Sequence, residues 1–79
     1  MIILSRQAEK FLDKLDDKRY FAVAAALEGL LEKPPRGDIV KLKGYVEEKR
    51  LRIGNIRVVF KIQDGMVHIS DIDFRGNIY

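Results

Sequence analysis

Seventy-nine residues and 9.1 kDa are enough for one small domain and too few for two. The chain is 47% hydrophobic and 34% charged with only two prolines, a globular rather than a disordered composition. It has no cysteine and a single histidine. Disulfide scaffolds, thiolate zinc sites and cysteine nucleophiles are therefore excluded, and no metal or other cofactor is implied.

In chain order, Met1-Ile2-Ile3-Leu4 reads as a short strand. Ser5 offers a capping hydroxyl to a helix whose Ala8, Phe11, Leu12 and Leu15 share one face. Asp16-Asp17 caps a second helix that carries Tyr20, Val23, Ala24, Leu27, Leu30 and Leu31 at helical spacing. The spacing predicts helices over 6–15 and 18–33, the second stopped by Pro34-Pro35. Ile39 to Lys43 alternates until Gly44 breaks the run, and Arg50 to Ile53 alternates again. Gly54-Asn55 and Asp64-Gly65 are hairpin turns, with Ile56, Val58, Phe60 and Ile62 on one face of the strand between them. Val67 to Asp73 is the last strand. The expected architecture is one α+β domain, residues 1–79. In it an N-terminal strand and a helical hairpin pack on a mostly antiparallel sheet of about four strands. The longest apolar stretch, Tyr20 to Leu27, is far below the ~20 residues of a membrane span. With no signal-like opening either, a cytoplasmic address away from membranes is expected.

Charge is uneven along the chain. Residues 1–40 carry seven basic and seven acidic side chains, whereas Lys41 to Lys61 carries seven against two. A local basic excess is the electrostatic mark of a polyanion binder. Period-two geometry puts Arg50 and Arg52 on one strand face, with Arg57 on the same sheet face after the turn. If Leu51, Ile53, Ile56 and Val58 meet the helices, the three guanidiniums gather on the uncovered side, where phosphate is their natural ligand. The competing use for them is ion pairing with Glu47, Glu48, Asp71 or Asp73.

Three segments in order resemble the RelE/ParE toxin superfamily, and its RelE branch in particular. They are Lys41-Leu42-Lys43-Gly44, Arg50-Leu51-Arg52-Ile53-Gly54-Asn55-Ile56-Arg57-Val58-Val59-Phe60, and Ile72-Asp73-Phe74-Arg75-Gly76-Asn77-Ile78-Tyr79. The resemblance implies a metal-independent endoribonuclease toxin that cleaves mRNA in the ribosomal A site and stops translation. The ribose 2′-hydroxyl would attack the adjacent phosphate, giving a 2′,3′-cyclic phosphate and a 5′-hydroxyl. It further implies Arg57, Arg75 and Tyr79 as catalytic residues: the phosphate clamp, the candidate acid or second clamp, and the nucleotide-orienting ring. Lys41, Lys43, Arg50, Arg52 and Lys61 would bind RNA phosphates. The implied partners are a cognate antitoxin, the ribosome with its mRNA, and the 16S rRNA backbone. Two departures stand out. Arg50 and Arg52 occupy positions that are lysines in the best-known RelE, and Phe74 replaces a histidine found in many relatives. Arginine stays charged and is a poor base, so Tyr79, Asp73, Asp71 and His68 all remain candidates for that role. The other readings are a ParE-like toxin that inhibits DNA gyrase and a catalytically inactive relative.

Overall fold

A computed structural model describes residues 1–42 and 47–75. Strand β1 (Ile2–Leu4) leads into α1 (Arg6–Asp13) and α2 (Asp17–Gly29). Four strands follow: β2 (Asp38–Lys41), β3 (Lys49–Ile53), β4 (Ile56–Gln63) and β5 (Met66–Phe74). They form one five-stranded sheet in the order β1-β5-β4-β3-β2, antiparallel except for the parallel β1–β5 pair. The sheet thus has one strand more than expected. The N-terminal segment does not pack on the sheet but joins its edge, pairing Ile2, Ile3 and Leu4 with Val67, His68 and Ile69.

Both helix starts are set by their caps. Ser5 Oγ accepts from the Ala8 N–H at 3.1 Å, and Asp16 Oδ1 accepts from the Arg19 N–H at 3.3 Å. The second helix ends earlier than the prolines require. It stops at Gly29, whose carbonyl accepts from the Arg36 N–H at 2.9 Å and so draws the chain back across the helix end. Gly37 follows with φ 134°, and a Cβ there would lie 2.6 Å from Leu51 Cδ1, so only glycine fits the entry to β2. Between β4 and β5 both Asp64 (φ 54°) and Gly65 (φ 75°) are left-handed, the geometry of a tight two-residue hairpin.

The helices cover one face of the sheet. Ala8, Leu12, Val23, Leu27 and Leu30 meet Leu51, Ile56, Val58, Phe60, Val67, Ile69 and Ile72 in a single buried cluster. Val58 and Phe60 are completely buried, as the alternation predicts. Phe11 packs edge-on against Phe74 with ring centroids 5.3 Å apart, tying α1 to the end of β5. Residues with apolar side chains also point away from this core. Tyr20 and Phe21 form an edge-to-face pair on α2 that is 41% and 67% exposed. No helix is long and apolar enough to cross a membrane among the described residues.

Candidate RNA-binding face

The outer side of the sheet, away from the helices, is organised in rows by the strand register. One row runs Asp38, Arg52, Arg57, Asp73 across β2 to β5. The next runs Val40, Arg50, Val59, Asp71. Farther along, Lys61 faces His68, and His68 faces Ile3. The three arginines expected from the alternation therefore do gather on one face, and all three are half-buried.

The other predicted residues are distributed differently. Arg75 is exposed just beyond β5, its N–H donating to the Asn55 carbonyl at 2.7 Å, which pins it beside the β3–β4 turn. Its charge reaches the cluster, since it is one of the groups acting on Arg50. Lys61 shares the face but lies four residues along β4 from Arg57, about 13 Å at strand rise. Lys41 pairs with Lys49 and alternates with Val40, so it sits at the sheet edge on the helix side, opposite the arginines. Lys43 and Tyr79 lie outside the described residues.

The electrostatics of the cluster are unfavourable in isolation. The Nε atoms of Arg50 and Arg52 are sealed from solvent with no hydrogen-bond partner among the described residues. Burial, then the charges of Arg52 and Arg57, pull the pKa of Arg50 below its usual value; Arg75 adds to this and Asp38 opposes it. Neither Asp71 nor Asp73 makes an ion pair among the described residues. Asp73 Oδ1 instead accepts from the neighbouring Phe74 N–H at 2.8 Å. Burial, then the charge of Asp73, holds the Asp71 carboxyl above its usual range. An anion seated over the arginines would relieve strain already present in the field of the face.

Two features escape the alternation argument. Between Val59 and Phe60 the β4–β5 register shifts, so Ser70 is an extra residue on β5. Without this bulge Asp71 and Asp73 would point into the core. With it Ile72 is completely buried, and both aspartates join the arginine rows. The signal is in the sequence: Val67 and Ile69 are two apart, but the next core residue, Ile72, is three further on. The second feature is Gln7. Its side-chain amide donates to the Ile72 carbonyl at 2.6 Å and accepts from the Ile72 N–H at 2.9 Å, acting as the strand neighbour that β1 is too short to supply. Ser5 holds the bulge itself, with Oγ donating to the Ser70 carbonyl at 2.9 Å.

The described face is an open sheet. A cavity of about 540 Å³ opens on the other side, lined by Arg19, Val23, Ile53 and Asn55. The profile of a family described as the ParE toxin of type II toxin–antitoxin systems, parDE, matches residues 2–79. The chain belongs to this toxin family. Solved structures agree on the fold of the toxin. A chain of the RelB–RelE antitoxin–toxin complex from Methanococcus jannaschii superposes with a TM-score of 0.80 at 20% identity, over 98% of this chain and 94% of that one. A chain of the Pyrococcus horikoshii RelE–RelB complex gives 0.77 at 25% identity, over 96% and 94%. A chain of the Staphylococcus aureus YoeB–YefM complex gives 0.77 at 21% identity, over 94% of each. No curated protein sequence matches the toxin.

Proposed function

We propose that this toxin is a ribosome-dependent endoribonuclease that cleaves mRNA in the A site. The observation that carries the reading is the convergence of Arg50, Arg52 and Arg57 on the uncovered sheet face, with the charge of Arg75 at its end. Cleavage of an RNA diester by its own 2′-hydroxyl forms the P–O2′ bond, breaks the P–O5′ bond and adds negative charge at phosphorus in the transition state. Preplaced guanidiniums stabilise that added charge more than the ground-state diester, so they accelerate the step rather than merely bind. Arg57 and Arg75 are assigned to the scissile phosphate, with Tyr79 against a base or ribose. Arg50, Arg52 and Lys61, with Lys43, hold the flanking backbone, and Lys41 meets RNA or rRNA at the edge. The departure of Lys41 from the face leaves it a peripheral role.

A toxin of this kind needs a neutralising partner in the resting cell, and the Methanococcus jannaschii structure is described as an antitoxin–toxin complex. A cognate antitoxin covering the exposed Tyr20–Phe21 pair of α2 fits the apolar surface left bare there. The test of the nuclease reading is cleavage of A-site mRNA by purified toxin on programmed ribosomes. Arg57→Ala or Arg75→Ala should lower the rate by at least ~10²-fold with the fold intact. If both variants cleave like wild type, the assignment of these residues fails. The family description also names ParE, which favours gyrase inhibition as the second reading. Loss of gyrase supercoiling in the absence of any mRNA cleavage would select it.

A further inference from the structure

The arginines supply charge but no base, and the register narrows the search for one. The base must lie on the outer face, within reach of a phosphate held by the arginines, and carry a group able to take a proton. His68 is on that face but stands beside Lys61, at the end remote from Arg57. Asp73 is in the Arg57 row, yet its carboxylate is engaged by the Phe74 N–H. Asp71 is in the adjacent row, directly across from Val59, with Arg50 on the far side of the same valine. Strand spacing puts Arg50 and Asp71 about 10 Å apart at the backbone, with the short Val59 side chain between them. That gap fits a ribose resting on Val59, its scissile phosphate toward Arg57 and the flanking backbone toward Arg50.

We propose that Asp71, turned onto this face by the Ser70 bulge, is the general base that takes the proton from the ribose 2′-hydroxyl. The role rests on the nuclease reading above. The proton passes from O2′ to the Asp71 carboxylate as O2′ bonds to phosphorus. The P–O5′ bond then breaks, and the 5′-oxygen takes a proton from water. Asp71 afterwards returns its own proton to solvent, so atoms and charge balance without a further reactant. Separately from the geometry, its carboxyl is held above the usual range, which makes the carboxylate a stronger proton acceptor. The charged and titratable groups facing it are His68 and Asp73 on β5, Arg57 and Lys61 on β4, and Arg50 and Arg52 on β3; β1 presents only Ile3.

The experiment is single-turnover A-site cleavage across pH by wild type, Asp71→Asn, Asp71→Glu and Asp73→Asn, at saturating toxin. Each variant's fold is checked by its melting transition. Wild-type cleavage should rise with pH through one carboxyl titration. Asp71→Asn should lose at least ~10²-fold and this acid limb together. Asp71→Glu should recover part of the rate with the limb restored, and Asp73→Asn should keep the limb. If Asp71→Asn cleaves within a few-fold of wild type with the limb unchanged, or the limb disappears with Asp73→Asn instead, the proposal is overturned while the nuclease reading stands. Absence of cleavage by wild type at every pH overturns the nuclease reading and the role of Asp71 with it.

Discussion

Arg50 offers a direct measure of how much the face is held against its own charge. It stands two residues from Arg52 on β3 and diagonally across from Arg57 on β4, spacings of about 7 Å. At that distance two unit charges repel by about 0.6 kcal/mol in water and about 2.4 kcal/mol at an effective dielectric of 20. Arg75 adds a third like charge and Asp38 cancels about one of the three. Two net repulsions at the weak, solvent-screened end of this range come to about 1 kcal/mol at low ionic strength. Arg50→Gln removes the charge and keeps the first part of the stem, so it should stabilise the toxin. For a domain of this size the gain corresponds to a Tm higher by about 4–8 °C in dilute buffer. The assay is a pair of melts, by calorimetry or far-UV circular dichroism, in about 20 mM and about 500 mM salt, where the screening length falls well below the charge spacing. The Coulombic part of the gain should fall away at high salt, leaving the part that comes from burial of the Arg50 charge. A lower Tm for Arg50→Gln in dilute buffer, or a shift independent of salt, would refute the reasoning.

The core makes a second prediction. Phe60 is completely buried on the central strand, so Phe60→Ala should cost about 3–5 kcal/mol. Urea titration should find most of the domain's stability gone, while Phe60→Leu, which keeps more of the volume, retains a cooperative transition. A third follows from the direction of the Asp71 shift. Its folded pKa lies above the usual value of 3.8, so the folded state holds the proton more tightly than the unfolded chain. That stability is fully present below the unfolded pKa and is lost as pH rises through the folded one. Asp71→Asn should therefore equal or exceed wild type in Tm at pH 7 and lose the advantage near pH 3, as melts across pH would report.

The elements legible in the sequence were those set by local chemistry. Ser5 and Asp16 mark helix starts through their caps, and Gly54-Asn55 and Asp64-Gly65 mark turns through their backbone freedom. Arg50, Arg52 and Arg57 share a face because nothing interrupts period two on β3 or across its turn. What was missed depends on partners distant along the chain. The end of α2 is set by Arg36 reaching Gly29 rather than by the prolines. Residues 2–4 read as a strand in the sequence, but their place at the sheet edge is fixed only by parallel pairing with 67–69. Lys41 reads as one more basic residue, but its register with Lys49 turns it to the other side. The aspartates reach the arginine face through a one-residue bulge, which alternation alone cannot represent.

The placement of β5 has a consequence for biosynthesis. This strand lies between β1 and β4, so the first and last strands to be made are neighbours, with the Met1 carbonyl accepting from the Val67 N–H at 3.0 Å. Ser5 and Gln7 likewise wait for partners 65 residues downstream. Contacts of that sequence separation form late and slow folding. A nascent chain still attached to its ribosome therefore presents β3 and β4 before Asp71 or the final arginine has a scaffold. The rows that join Arg57 to Asp73 and Val59 to Asp71 exist only once β5 has entered the sheet beside β4.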